Sequence, residues 1–140
     1  MALAHVKYRE VGAVATLGAA GPVELVTPTG GTLTVATAVS EPGFSPIDLL
    51  HSSLAACLVL SAKIAANRLG VADRIVAFKA TVGGEKAADA PSRIARFDVA
   101  IEIEGDIDDE TRRRIVEEAE TICTVSNTLH GHPQITVAGV

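Results

Sequence analysis

The sequence predicts an α+β chain ordered as a β-rich part, a long helix, a β-hairpin, a second helix and a strand. Three observations predict it. An almost unbroken apolar run, SPIDLLHSSLAACLVLSAKIAANRLG at residues 45–70, carries helix signals at both ends. Residues 96–104 carry the cleanest apolar–charged alternation in the chain. A second helical pattern follows, apolar at Ile115, Ala119, Ile122 and Cys123. A single domain over residues 1–140 is expected, with residues 1–44 β-rich and residues 45–140 holding the remaining elements.

Four short apolar segments precede the long helix, at residues 4–8, 11–17, 23–27 and 32–39. Gly21-Pro22 and Pro28-Thr29-Gly30-Gly31 separate them as turns. The long helix starts where Ser45 caps it, Pro46 takes the first helical position and Asp48 completes a Ser-x-x-acid capping box. Gly70 is placed to end it after Arg68. Between these ends apolar and small residues run almost all the way round, so burial on most sides is expected, under a sheet or a partner subunit.

A strand at residues 75–82 and a loop at residues 83–91 come next. In the alternating stretch Phe97, Val99, Ile101 and Ile103 share one face, while Arg96, Asp98, Glu102 and Glu104 share the other. That strand has one buried and one wet face. Asp108-Asp109-Glu110 favour a helix N-terminus by their charge. Residues 125–129 suggest one more helical turn before Gly131 and Pro133, and residues 134–137 read as a closing strand.

Composition narrows the function. The net charge is −5, and the chain has one Tyr, three Phe and no Trp. With little to stack on bases and no extended basic block, nucleic-acid binding is not expected. A membrane span wants about 20 predominantly apolar residues, and Asp48, Lys63 and Arg68 interrupt the apolar run. No signal peptide is visible, and a cytoplasmic location is expected. A core built from Val, Ile, Leu and Ala fills a large interior less easily than aromatic side chains do, which favours a core shared between two copies.

The chain has two cysteines. Cys57 lies mid-helix with Ser53 and Ser61 one turn away on either side. Cys123 lies at the end of the second helix. There is no CxxC, hence neither a thioredoxin-type motif nor a zinc ribbon. Composition alone favours packing for each, since free cysteine is among the most buried residue types. Two thiols on apolar helix faces that meet in the fold would instead favour redox chemistry. His51 reads as a core or interface histidine, or as a polar group near the thiol. His130-Gly131-His132 is weak evidence for a metal without further ligands, and no metal or cofactor is expected. Thr29-Gly30-Gly31 lacks the spacing of a phosphate cradle.

The segment Ser-Pro-Ile-Asp-Leu-Leu-His-Ser-Ser-Leu-Ala-Ala-Cys, residues 45–57, resembles the helix-opening signature of the OsmC/organic hydroperoxide resistance family. Residues 119–129, Ala-Glu-Thr-Ile-Cys-Thr-Val-Ser-Asn-Thr-Leu, resemble its second signature, Ala-Glu-x-x-Cys-Pro-Val-Ser-x-x-Leu, with Thr124 in place of Pro. The resemblance covers essentially the whole chain. It implies an OsmC-like fold, two long central helices against antiparallel sheets in an intertwined homodimer.

It also implies reduction of organic hydroperoxides, with Cys57 as the peroxidatic and Cys123 as the resolving cysteine, regenerated by an external dithiol. The peroxidase branches activate the thiolate with an Arg from the N-terminal strands and a Glu directly after the helix-opening Pro. Here Ile47 follows Pro46 and the acid comes as Asp48; Arg9 is the candidate cation. The alternative is a non-catalytic OsmC-like protein that binds a small apolar ligand, or senses oxidants, at the dimer interface.

Overall fold

Ser45 and Asp48 set where the first long helix begins. The Ser45 N–H donates to Asp48 Oδ2 (2.9 Å) and the Asp48 N–H to Ser45 Oγ (3.1 Å), the reciprocal pair of a capping box. The helix, α1 (Pro46–Arg68), ends as its sequence predicts. Gly70 takes φ +72°, its N–H donates to the Asn67 carbonyl, and the Val71 N–H donates to the Ala66 carbonyl. This is a Schellman ending, which needs a left-handed residue at that point. The computed structural model describes residues 9–139, and its backbone divides between Leu49 and Leu50 into two compact units.

The first unit is an antiparallel meander, β1 (Val14–Thr16), β2 (Val23–Val26) and β3 (Thr32–Val35), in that spatial order. Leu25 faces Ala15 on one side and Leu33 on the other. The turn after β2 is closed by the Thr27 N–H on the Gly31 carbonyl (2.9 Å) and the Gly31 N–H on Thr27 Oγ1 (2.8 Å). The strand expected over 32–39 stops at Val35. The Thr37 and Ala38 N–H groups both turn to the Glu41 carboxylate, which takes them out of any ladder. The strand expected over 11–17 is likewise trimmed, and the one expected over 4–8 lies outside the described residues.

The second unit holds the core. After a 3-10 turn at Ala72–Arg74, β4 (Ile75–Lys86) pairs antiparallel with β5 (Ile94–Gly105) in one long hairpin. Cross-strand pairs Phe78–Ile103, Ala80–Ile101 and Val82–Val99 line one face; the face read as buried is so at Ile103 and in part at Phe97 and Ile101, while Val99 is exposed. Strand β4 continues four residues past the expected end, through Gly83 and Gly84. A Cβ on Gly84 would run into the Arg96 carbonyl and lie 3.4 Å from His51 Nε2. The glycine therefore serves close packing inside a strand rather than opening a loop.

Helix α2 (Asp109–Ile122) is capped by Asp108, whose Oδ1 accepts the Thr111 N–H at 2.7 Å. Arg112 gathers the chain entering α2, donating to the carbonyls of Ile103 (3.1 Å), Gly105 (2.8 Å) and Ile107. Ala62, Ala65 and Ala66 of α1 pack with Ile103, Ile107, Ile115 and Ala119. These small alanines let the α1 backbone approach closely. Ile115 is fully buried, worth about 1.5–3 kcal/mol by area removed from water.

Helix α1 is long and apolar enough to cross a membrane by length and composition. Its residues Leu54, Leu58, Ser61, Ala62, Ala65 and Ala66 are nonetheless buried in the protein, as in a core helix. Burial on most sides is not seen in one chain: Leu60 is 63% and Ile64 44% exposed.

Helix α3 (Thr124–His130) follows at once, longer than the turn expected at 125–129. The closing strand expected at residues 134–137 is not formed. Pro133 withholds a ladder donor, and Ile135 and Val137 stand 84% and 85% exposed, so their alternation has no packed face to hold it.

Candidate active site

Helical spacing puts Cys57 on the same side of α1 as Leu54, Leu58 and Ser61. Leu54, Leu58 and Cys123 form a buried cluster, and Cys57, Ala80, Val82, Phe97, Ile101 and Val125 pack against it. Cys123 arrives from the other direction. It closes α2, with its N–H on the Ala119 carbonyl (3.0 Å), and then turns at φ −63°, ψ 108° to open α3. Its Sγ accepts the Ser126 N–H at 3.4 Å, so the thiol doubles as the cap of the next helix.

Cys57 thus packs against the cluster that holds Cys123, and the two thiols influence each other's protonation. Their environments differ in sign. Burial pushes the Cys57 thiol up, but hydrogen bonds from the Val125 N–H, the Cys123 thiol, the Ser61 hydroxyl and the Thr124 N–H together hold it below the ordinary cysteine value. Burial pushes Cys123 up, and the neighbouring Cys57 sulfur adds to this against the opposing Ser126 N–H. Cys57 is thus the easier of the two to deprotonate. Such a pair suits attack by the first and proton-bearing condensation by the second.

Of the residues predicted for the site, Cys57 and Cys123 come together. Asp48 is engaged in the capping box at the start of α1. Arg9, in the first unit, donates from Nη2 to Thr29 Oγ1 at 2.7 Å. His51 packs its ring against Phe97, centroids 5.2 Å apart and tilted by 60°. His130 Nδ1 donates to the Ser126 carbonyl at 2.9 Å. Among the described residues no three His, Cys, Asp or Glu side chains are grouped as a metal site.

Sequence reasoning had noted Ser61 only for its position. It is 3% exposed, one turn from Cys57, and its hydroxyl favours the charged form of that thiol; the four-residue spacing was the available signal. The main chain at Thr124 and Val125, which also favours the charged form of Cys57, carried no side-chain signal at all. Beside the cluster lies a cavity of about 770 Å³, bounded by Leu54, Leu58, Phe97, Ile101 and Leu129, with Ser126, His130, Arg96 and Glu120 also on its wall.

A model of the OsmC-like protein family matches residues 39–138. The chain belongs to this family. The OsmC-like chain also matches solved structures over most of its length. The OsmC-like protein from Mycoplasma pneumoniae has a TM-score of 0.74 at 18% identity, covering 89% of each chain. The organic hydroperoxide resistance protein OsmC from Legionella pneumophila gives 0.65 at 18% identity, covering 89% of this chain and 93% of that one. The organic hydroperoxide resistance protein OhrB of Bacillus subtilis gives 0.64 at 19% identity, covering 87% and 93%. At these identities the likeness is one of fold. No curated protein matches the sequence.

Proposed function

We propose that this OsmC-like protein is a thiol-dependent peroxidase for organic hydroperoxides. The observation that carries the reading is that Cys57 packs against the buried cluster holding Cys123, with the first thiol lowered and the second raised from the ordinary cysteine value. The Cys57 thiolate attacks the distal peroxide oxygen and the O–O bond breaks. The alkoxide takes up a proton and leaves as alcohol, and Cys57 becomes a sulfenic acid. The Cys123 sulfur then displaces hydroxide from that sulfenic acid, its own proton leaving with it as water, and a disulfide forms. An external dithiol returns the two electrons.

The cavity beside the cluster, with Leu54, Leu58, Phe97, Ile101 and Leu129 on its wall, supports an organic rather than an inorganic peroxide. Asp48 enters this proposal as the residue that fixes the start of the cysteine helix. A reduced thiol pair fits the cytoplasm. The exposed Leu60 and Ile64 on α1 support a homodimer in which a second copy covers them.

The decisive experiment titrates the reduced protein with cumene hydroperoxide while counting free thiols. Two thiols should disappear per peroxide consumed, with a mass loss of two hydrogens in a Cys57–Cys123 disulfide. Unchanged thiols after excess peroxide defeat the reading. In that case the cavity favours the second one, a non-catalytic protein that binds a small apolar ligand there.

A further inference from the structure

We propose that His130 is the proton donor of this site, giving the alkoxide its proton as Cys57 opens the O–O bond. The inference rests on the peroxidase reading. Cys123, Ser126 and His130 stand at i, i+3 and i+7, on one side of α3. The Ser126 N–H donates to the Cys123 sulfur at 3.4 Å, and the Ser126 carbonyl accepts from His130 Nδ1 at 2.9 Å. A carbonyl only accepts, so Nδ1 keeps its hydrogen whether the ring is neutral or charged. Nε2 is then the nitrogen that gains and loses a proton.

The ring lies on the wall of the cavity beside the cysteine cluster, with Ser126, Leu54 and Leu58. Arg93 and Arg96 of the hairpin, Glu120 of α2 and His132 beyond α3 are the other charged or titratable groups there. Arginine does not give up its proton, and an ionised carboxylate has none to give. Histidine is the residue type on this wall that exchanges one near neutral pH. Of the two histidines, His130 is the one tied to a residue that also touches Cys123. In-line attack by Cys57 leaves the alkoxy oxygen on the side away from the sulfur, toward the cavity that takes the organic group. The sulfur bonds to the distal oxygen, the O–O electron pair goes to the alkoxy oxygen, and the Nε2 proton moves to it. Alcohol leaves, and the neutral ring, exposed at the end of α3, takes a new proton from water.

The test compares two oxidants in single-turnover oxidation of Cys57. tert-Butyl hydroperoxide expels an alkoxide that needs a proton, whereas peracetic acid expels acetate, which does not. His130→Gln changes an exposed side chain, and its amide can keep the bond to the Ser126 carbonyl. It should slow the first oxidant about a hundredfold, the lower end of general-acid catalysis. The peracetic acid rate and the iodoacetamide alkylation of Cys57 should stay as in wild type. Added imidazole should restore the tert-butyl hydroperoxide rate of His130→Ala.

Equal slowing with both oxidants marks a structural role and overturns the proposal, and so does an imidazole-insensitive His130→Ala. A wild type that reacts with tert-butyl hydroperoxide no faster than His130→Gln defeats this inference alone. A wild type that neither oxidant oxidises defeats the peroxidase reading, and the role of His130 falls with it.

Discussion

Cys57 and Cys123 share one apolar cluster, yet they sit in it differently. Cys57 is half-buried on a helix face, where the Ser61 hydroxyl, the Cys123 thiol and the main chain at Thr124 and Val125 outweigh burial and lower it. Cys123 is fully buried at a junction between helices, where its sulfur is already used to cap α3. The difference teaches that burial by itself does not decide a thiol's reactivity. Both lose solvation; the one surrounded by more stabilising groups is the one whose value falls.

The largest expected effect separates the two by substitution. Cys57→Ser should abolish peroxide consumption, because a serine hydroxyl is far too weak a nucleophile at neutral pH. Cys123→Ser should still react once and stop at a sulfenic acid that dimedone traps on Cys57. Identical behaviour of the two variants in peroxide consumption and dimedone mass tagging would erase the distinction.

The pH profile comes second. Since Cys57 lies below and Cys123 above the ordinary cysteine value, rising pH should alkylate Cys57 first and Cys123 only on the more alkaline side. Site-resolved mass spectrometry reads both in one sample, and the reverse order would invert the assignment.

A smaller effect is expected from Ser61→Ala. Losing the buried hydroxyl removes one donor and should slow Cys57 alkylation by roughly tenfold or less, leaving Cys123 alone.

The smallest is a control at the far end of α2. Asp108 is held below the usual carboxylate range, chiefly by the Thr111 N–H. Its stabilisation is present above the carboxylate pKa of the unfolded chain and is lost as pH falls through the lower folded value. Asp108→Asn should therefore differ from wild type in Tm near neutrality, converge with it in acid, and leave both alkylation rates unchanged. A changed rate at Cys123 would show that its reactivity depends on the seating of α2.

The sequence by itself determined the elements whose signals are local. Ser45, Asp48 and Gly70 bound α1 because caps act within a turn, and the alternation at 96–104 marks β5 because a pleated strand has a period of two. The cysteine signatures likewise identified the family. Tertiary structure decided what depends on neighbours far along the chain. It withdrew residues 36–39 from β3 through Glu41, carried β4 through Gly83-Gly84 so that His51 packs closely, and left residues 134–137 without a ladder. It also made the difference between the two thiols, because main-chain N–H groups look alike in every residue but proline. Only the fold decides which of them point at a sulfur.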